Sequence, residues 1–244
     1  MKSSRQIFNN HQSKLIHKWD HYFDIYDRHF SRFQNQHCTL LEIGCGEGGS
    51  LQLWKKFLGS RARIVGIDIL DVCKRYEEKQ ISVRIGNQKD TRFLQGILEE
   101  FGALDIIIDD GSHMIDDIRS SFFYLYPRMS RNGCYLVEDL HTAYWHEYDG
   151  GFRRKGSFIE IAKSLVDELN VECARGALEH TKFSKSTDSI HFYNSVCVFE
   201  KKPFTEKVDR FSNQKNSTFQ SQTLRKLVGS FKPKALKSKS AYSG

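Results

Sequence analysis

Residues 38–50 read CTLLEIGCGEGGS: a short apolar run with strand character that passes into glycines at 44, 46, 48 and 49 and then into a helical period. Glycine at a strand-to-helix turn adopts positive φ freely and lets a ligand approach the backbone closely. The helix that follows offers unpaired N–H groups at its start. The same glycines also serve plain tight turns, so this stretch alone leaves ligand cradle and bare turn equally weighted. What it does establish is a local order of strand, turn and helix.

That order repeats downstream. RIVGIDI, ISVRIG, LDIIIDD and CYLVED are four further apolar runs, and segments of helical period separate them. Leu51, Trp54 and Leu58 share one face of a helix over 50–58. Phe93, Ile97 and Phe101 do so over 92–101, and Ile115, Ile118, Phe122 and Leu125 over 115–125. Strands alternating with sheet-covering helices predict an α/β, Rossmann-like sheet, mostly parallel and about seven-stranded, with helices on both faces. A further helix is expected over 157–169, and VECARGALE and SIHFYNSVCVFEKK read as the two closing strands. The domain spans residues 36–202. Before it, residues 1–35 place Leu15, Ile16, Trp19, Phe23, Ile25, Tyr26 and Phe30 at three- and four-residue steps, which predicts an amphipathic helical segment packed on the domain. After it, residues 203–244 form a basic, polar tail expected to be flexible.

The acid that ends the second run shifts the reading of the glycine turn. Asp68 lies 24 residues past Gly44, near the offset of about 20 at which an acid meets ribose hydroxyls in dinucleotide folds. Glu42 precedes these glycines. An adenosine-sulfonium ligand fits better, because it has no pyrophosphate to cradle, and Glu42 can orient the turn or face the positive donor. S-adenosylmethionine is therefore the expected cofactor, with Glu42, Gly44, Gly46, Asp68, Gln88 and Asp109 assigned to it. For Asn87, Gln88 and Asp90 in GNQKD, a turn-and-cap role competes with adenine contact.

The fourth and fifth runs end in acid pairs, Asp109-Asp110 and Glu138-Asp139. In a doubly wound sheet these runs are neighbours at the switch point, so four carboxylates are expected at one rim. Unpaired, they would raise one another's pKa values. A hard cation relieves this, with Asp110, Glu138 and Asp139 as oxygen ligands for Mg²⁺, Mn²⁺ or Ca²⁺. The alternative is helix capping or pairing with Arg119, Arg128 or Arg153; acid pairs at the ends of two adjacent strands favour the metal. His113, three residues past Asp110, lies opposite the apolar stripe of its helix and is assigned as general base. His141 and His146 are read equally as acceptor contacts or surface residues. A sulfonium methyl is already electrophilic, so cation and base point to an oxygen acceptor, one of two neighbouring hydroxyls.

LLEIGCGEGGS, VGIDI, GNQKD, IIIDDGSH, SFFYLYPRMSRNGCYLVEDLHTAYW and SIHFYNSVCVFEK, taken in order over about residues 17–200, resemble the metal-dependent sugar O-methyltransferases of macrolide biosynthesis, the mycinamicin methyltransferase group. The resemblance implies Mg²⁺ on Asp110, Glu138 and Asp139, His113 as base, and a hydroxyl of a deoxysugar or related glycosyl unit as acceptor. It also implies that HKWDHYFDIYDRHF is the entry segment, with Tyr22 approaching the donor. Asn87 stands where that family usually has Asp, and Ala143 where it usually has Ser. The long N-terminal domain of some members has no counterpart in these 244 residues.

Composition narrows the remaining classes. Hydrophobic residues make up 39% of the chain, enough for one core. Six cysteines without a Cys-x-x-Cys pair suggest neither zinc nor disulfides, and the absence of a signal core or bilayer-length apolar run predicts a soluble, cytoplasmic protein. The net charge of +7 sits at one end: residues 201–244 hold 11 Lys/Arg against 2 Asp/Glu, so the body is close to neutral. That argues against a nucleic-acid partner and leaves the tail suited to an anionic surface or a protein partner. A catechol-like phenol satisfies the same paired-oxygen requirement as a sugar. Homo-oligomer or monomer stays open.

Overall fold

In the computed structural model, which describes residues 2–205, seven strands form one sheet in the order β3-β2-β1-β4-β5-β7-β6. The strands are β1 (Thr39–Ile43), β2 (Arg63–Asp68), β3 (Ile81–Ile85), β4 (Ile106–Asp109), β5 (Cys134–Val137), β6 (Thr187–Tyr193) and β7 (Val196–Lys201). The first five are parallel, and β7 runs antiparallel to both β5 and β6. The helices are α1 (Ser4–Asn9), α2 (Tyr22–Phe30), α3 (Gly49–Leu58), α4 (Thr91–Phe101), α5 (Ile115–Leu125) and α6 (Phe158–Leu169).

Alternation along the strands builds two cores. Leu40, Ile64, Ile106, Ile108 and Leu136 face α2 and α3, where Tyr26, Phe30, Trp54 and Phe57 pack. Leu41, Val65, Ile107, Tyr135 and Phe199 face the other way, against Leu94, Phe122, Phe158 and Leu165 of α4, α5 and α6. The expected helix over 115–125 appears with those bounds. Ser157, expected at a helix start, caps α6 by accepting from the Glu160 N–H.

One expectation fails, for a local reason. VECARGALE is not a strand: Val171–Ala174 winds into a 3-10 turn, and left-handed Arg175 and Gly176 bar an extended path. Instead SIHFYNSVCVFEKK supplies both closing strands, folding back at Asn194-Ser195, where Ser195 takes φ +66°. The N-terminal segment supplies helices as expected, α1 and α2, joined by a stretch without regular structure. Between α1 and α2, residues 10–21 cross the glycine turn as an irregular strap with Leu15 and Trp19 exposed. The crossing is so close that a Cβ on Gly49 would lie 2.0 Å from the Leu15 carbonyl oxygen. Beyond residue 205 the basic tail lies outside the described residues. Among the described residues no helix is long and apolar enough to cross a membrane.

Helix α2 is pinned to the hairpin by charge. His29 Nδ1 donates to Glu200 Oε1 on β7 at 2.6 Å, His29 Nε2 meets Tyr193 Oη at 2.9 Å, and Arg32 donates to both Glu200 oxygens. Burial pushes the Glu200 carboxyl up, but the hydrogen bonds from His29 and Arg32 outweigh it and hold its pKa to about 2. A depressed pKa contributes stability above the ordinary carboxylate value and loses it as pH falls towards the folded value. Glu200→Gln is thus expected to cost about 2 kcal/mol at pH 7, allowing for partial solvent screening. The difference should shrink as pH falls from about 4.5 towards 2. Urea midpoints of both proteins at pH 7 and pH 3 check this; a gap that is constant across that range would refute it.

Candidate active site

The strand order sets the carboxyl ends of β1, β4 and β5 side by side, and the register aligns Ile43 with Asp109 and Asp109 with Val137. The next residue on each chain is therefore Gly44, Asp110 and Glu138. The Asp110 N–H donates to Ile43 O at 3.0 Å and the Glu138 N–H to Asp109 O at 2.9 Å, so the ladder runs to the rim itself. Gly44, at φ +82°, cannot be replaced: a Cβ there would meet Asp110 O at 2.2 Å.

Only three of the four expected carboxylates reach the cleft. Asp109 and Asp110 are successive residues of an extended chain and point to opposite faces. Asp110 lines the cleft, whereas Asp109 is buried on the α5 side, accepting from Ser121 Oγ (2.6 Å), Tyr135 Oη (2.9 Å) and Gln88 Nε2 (3.1 Å). Burial raises its pKa. Its assignment to the donor is corrected to an anchor between strand and helix. Glu138 and Asp139, also successive, both line the cleft, because Asp139 takes a left-handed conformation (φ +51°) that turns the chain at the strand end.

Glu42 lines neither this cleft nor the one adjoining it. It is fully buried, with Oε2 accepting from Ser50 Oγ at 2.6 Å and Oε1 lacking any hydrogen-bond partner. What covers it is a residue the sequence did not signal. Lys18, from the strap, inserts its ammonium among Asp110 Oδ2 (2.5 Å), Glu138 Oε2 (2.8 Å) and Glu42 Oε1 (3.7 Å), with its side chain 4% exposed. Burial pulls Lys18 down, but the charges of Asp110, Glu138 and Glu42 more than compensate and keep it protonated. Glu138 and Glu42 are both raised by burial, against the pull of Lys18. Two tyrosines of α2 take the other carboxylate oxygens: Tyr26 Oη donates to Glu138 Oε1 at 2.7 Å and Tyr22 Oη to Asp139 Oδ1 at 2.6 Å.

His113 reaches the same cleft, though not by helical phase. It precedes α5, in a left-handed conformation (φ +58°) of the DGSH turn. Its Nε2 lies 3.7 Å from Asp139 Oδ2 and 3.9 Å from Asp110 Oδ1. Strained backbone at both His113 and Asp139 fits a functional site, where such conformations concentrate. The cleft, about 300 Å³, is closed on one side by the strap and on the other by Gly44, Cys45 and Gly46. At its mouth Trp19 stacks on His141 at 5.0 Å and His141 meets Trp145 edge-on at 4.7 Å, while His146 lies exposed.

The donor set fits a hard divalent cation. Asp110, His113 and Asp139 can bring ligand atoms within 4.8 Å of one another, and the oxygen of Glu138 not held by Tyr26 faces the same space. Among the described residues, Lys18 is the sole Lys or Arg paired with Glu42, Asp110, Glu138 or Asp139, so negative charge remains in excess.

A second cleft of about 260 Å³ adjoins the first and shares Gly44 with it. Asp68, Leu70, Asn87, Gln88 and Ser112 line it. Asp68 accepts from the N–H groups of Gly46 and Leu70, both at 3.0 Å, so it fastens the glycine turn to the end of β2. Gln88 is tied at both ends of its amide, donating to Asp109 and accepting from the Ser112 N–H at 3.0 Å. Asp90 caps α4.

No protein-family model matches the chain. It is 35% identical over 188 residues to mycinamicin VI 2''-O-methyltransferase of Micromonospora griseorubida, covering 72% of this chain and 47% of that one. To demethylmacrocin O-methyltransferase of Streptomyces fradiae it is 40% identical over 203 residues, covering 77% and 51%. The solved structure of the MycE methyltransferase from the mycinamycin biosynthetic pathway, in complex with Mg, SAH and mycinamycin VI, superposes with a TM-score of 0.70 at 33% identity, covering 82% of this chain and 52% of that one. The chain spans about half the length of the curated relatives it matches.

Proposed function

Because the chain shares the sequence and fold of the macrolide sugar O-methyltransferases over about half their length, we propose that it is an S-adenosylmethionine-dependent O-methyltransferase acting on a hydroxyl of a glycosyl unit. One observation carries this reading. The cleft of Asp68 and Gln88 and the cleft of Asp110, His113, Glu138 and Asp139 meet at Gly44, so a donor lying along the first presents its reactive end to the second.

Each part then has a task. Asp68 and the glycine turn it fastens hold the donor's ribose end, and the Gln88 side of the cleft takes the base. Asp110, Glu138 and Asp139 are the residues that would hold Mg²⁺, whose charge, when bound, favours ionisation of the acceptor hydroxyl. His113, beside Asp110 and Asp139, takes the hydroxyl proton as the oxygen bonds to the methyl carbon and the carbon–sulfur bond breaks, leaving S-adenosylhomocysteine. Trp19, His141 and Trp145 give the acceptor ring an apolar wall at the mouth.

Incubation with methyl-labelled S-adenosylmethionine, Mg²⁺ and macrolide glycosides bearing vicinal sugar hydroxyls is expected to yield labelled glycoside, and chelation of the metal should stop it. Labelling of catechols in place of glycosides would reassign the acceptor. Donor binding without transfer to either would refute the proposed activity.

A further inference from the structure

The oxygens that Lys18 grips are the ones a divalent cation needs. Tyr26 holds Glu138 Oε1 and Tyr22 holds Asp139 Oδ1, which leaves Glu138 Oε2, Asp139 Oδ2 and the Asp110 carboxylate for a metal. Lys18 Nζ lies 2.8 Å from Glu138 Oε2 and 2.5 Å from Asp110 Oδ2, the point at which a cation shared by these two carboxylates would sit. Two positive centres at bonding distance from the same oxygens repel strongly where the groups are this buried, the side chains of Lys18 and Glu138 being 4% and 1% exposed. Both cannot stay.

We propose that the Lys18 ammonium and a divalent cation are alternative occupants of the position between Asp110 and Glu138, so that cation binding expels Lys18 and shifts the strap of residues 14–19. This inference rests on the metal-binding part of the proposed function. Its first support is the geometry above. Its second is the Glu42 carboxylate beneath, fully buried with Oε1 unpartnered except for the ion-pair approach of Lys18 at 3.7 Å; without a positive charge overhead it has no counter-ion. In the metal-free protein Lys18 supplies that charge and keeps the acid rim from repelling itself apart.

Residues 14–19 lie between α1 and α2 without regular structure, with Leu15 and Trp19 exposed. Leu15, Ile16, His17, Lys18 and Trp19 all wall the acceptor cleft, so their displacement enlarges the space an acceptor enters. The tyrosines, carried on the rigid α2, stay behind and keep orienting Glu138 and Asp139 after Lys18 has left. The arrangement orders the events: cation first, acceptor second.

Trypsin reads the position of Lys18 directly, because it cleaves after an accessible lysine. In the metal-free protein the Lys18–Trp19 bond should resist, the lysine side chain being buried. Mn²⁺ is expected to raise cleavage there by at least about tenfold, the scale of an ordinary coupling between two sites. By the same linkage the isosteric Lys18→Met protein should bind Mn²⁺ at least about tenfold more tightly, measured from the electron paramagnetic resonance signal of free Mn²⁺. If Mn²⁺ binds the wild type with Lys18 as protected as before, the inference falls and the metal site stands. If neither protein binds Mn²⁺, the metal reading falls with it. Should Lys18→Met fail to fold, the proteolysis of the wild type decides alone.

Discussion

Asp139→Asn is expected to lower methyl transfer by about a thousand-fold, or ~4 kcal/mol of transition-state stabilisation, while donor affinity changes by less than several-fold. The choice of Asn matters. Asp139 holds φ +51°, a conformation that Asn tolerates and Ala does not, and its Oδ1 accepts from Tyr22 Oη at 2.6 Å, which an amide oxygen can continue to do. The substitution therefore keeps the backbone and the tyrosine contact and removes one negative charge from the rim. Asp139 lies outside the second cleft, so the donor keeps its contacts. Turnover with saturating Mg²⁺, set beside calorimetric titration of S-adenosylmethionine, separates the two effects. Turnover within tenfold of the wild type would show that the rim does not hold the metal used in catalysis.

The sheet was legible because its signals are local. Each apolar run ends in a turn residue, and the helical periods between runs cover four of the six helices. The hairpin was misplaced because a two-residue turn at Asn194-Ser195 carries neither Gly nor Pro, so SIHFYNSVCVFEKK read as one strand. At the site, Asp110, Glu138 and Asp139 were readable from strand ends and the switch-point rule, and His113 from its place three residues past Asp110 but not from a helical phase; the structure brings all four to one cleft. Asp109 could have been excluded by alternation alone, since a strand cannot send two successive residues to the same face without a turn such as the one at Asp139.

Lys18 was not legible. It is separated from Asp110 by 92 residues and from Glu138 by 120, and it stands in an aromatic stretch whose spacing imitates a helix. The one signal available was negative: a rim of acids predicted without a matching base calls for a counter-charge from outside the sheet. The strap and α2 answer that call three times, with Lys18, Tyr22 and Tyr26 all turned towards the same carboxylates. The N-terminal segment is thus part of the site and not a cover laid upon it.

His113→Gly should lower the catalytic rate by about 100-fold or more and leave Mn²⁺ affinity near that of the wild type. Glycine suits φ +58° better than any other residue, so the turn keeps its course while the imidazole is deleted. The hole left is bounded by Asp110, Asp139 and Tyr148, whose ring centre lies 6.2 Å from that of His113, and it is open to the cleft. Free imidazole should therefore enter and restore part of the rate, in proportion to its unprotonated fraction. This distinguishes a base from a ligand, for His113 Nε2 is also close enough to Asp110 and Asp139 to share an ion with them. A rate loss matched by an equal loss of Mn²⁺ affinity would make His113 a metal ligand, and a rate indifferent to the substitution would remove it from the chemistry altogether.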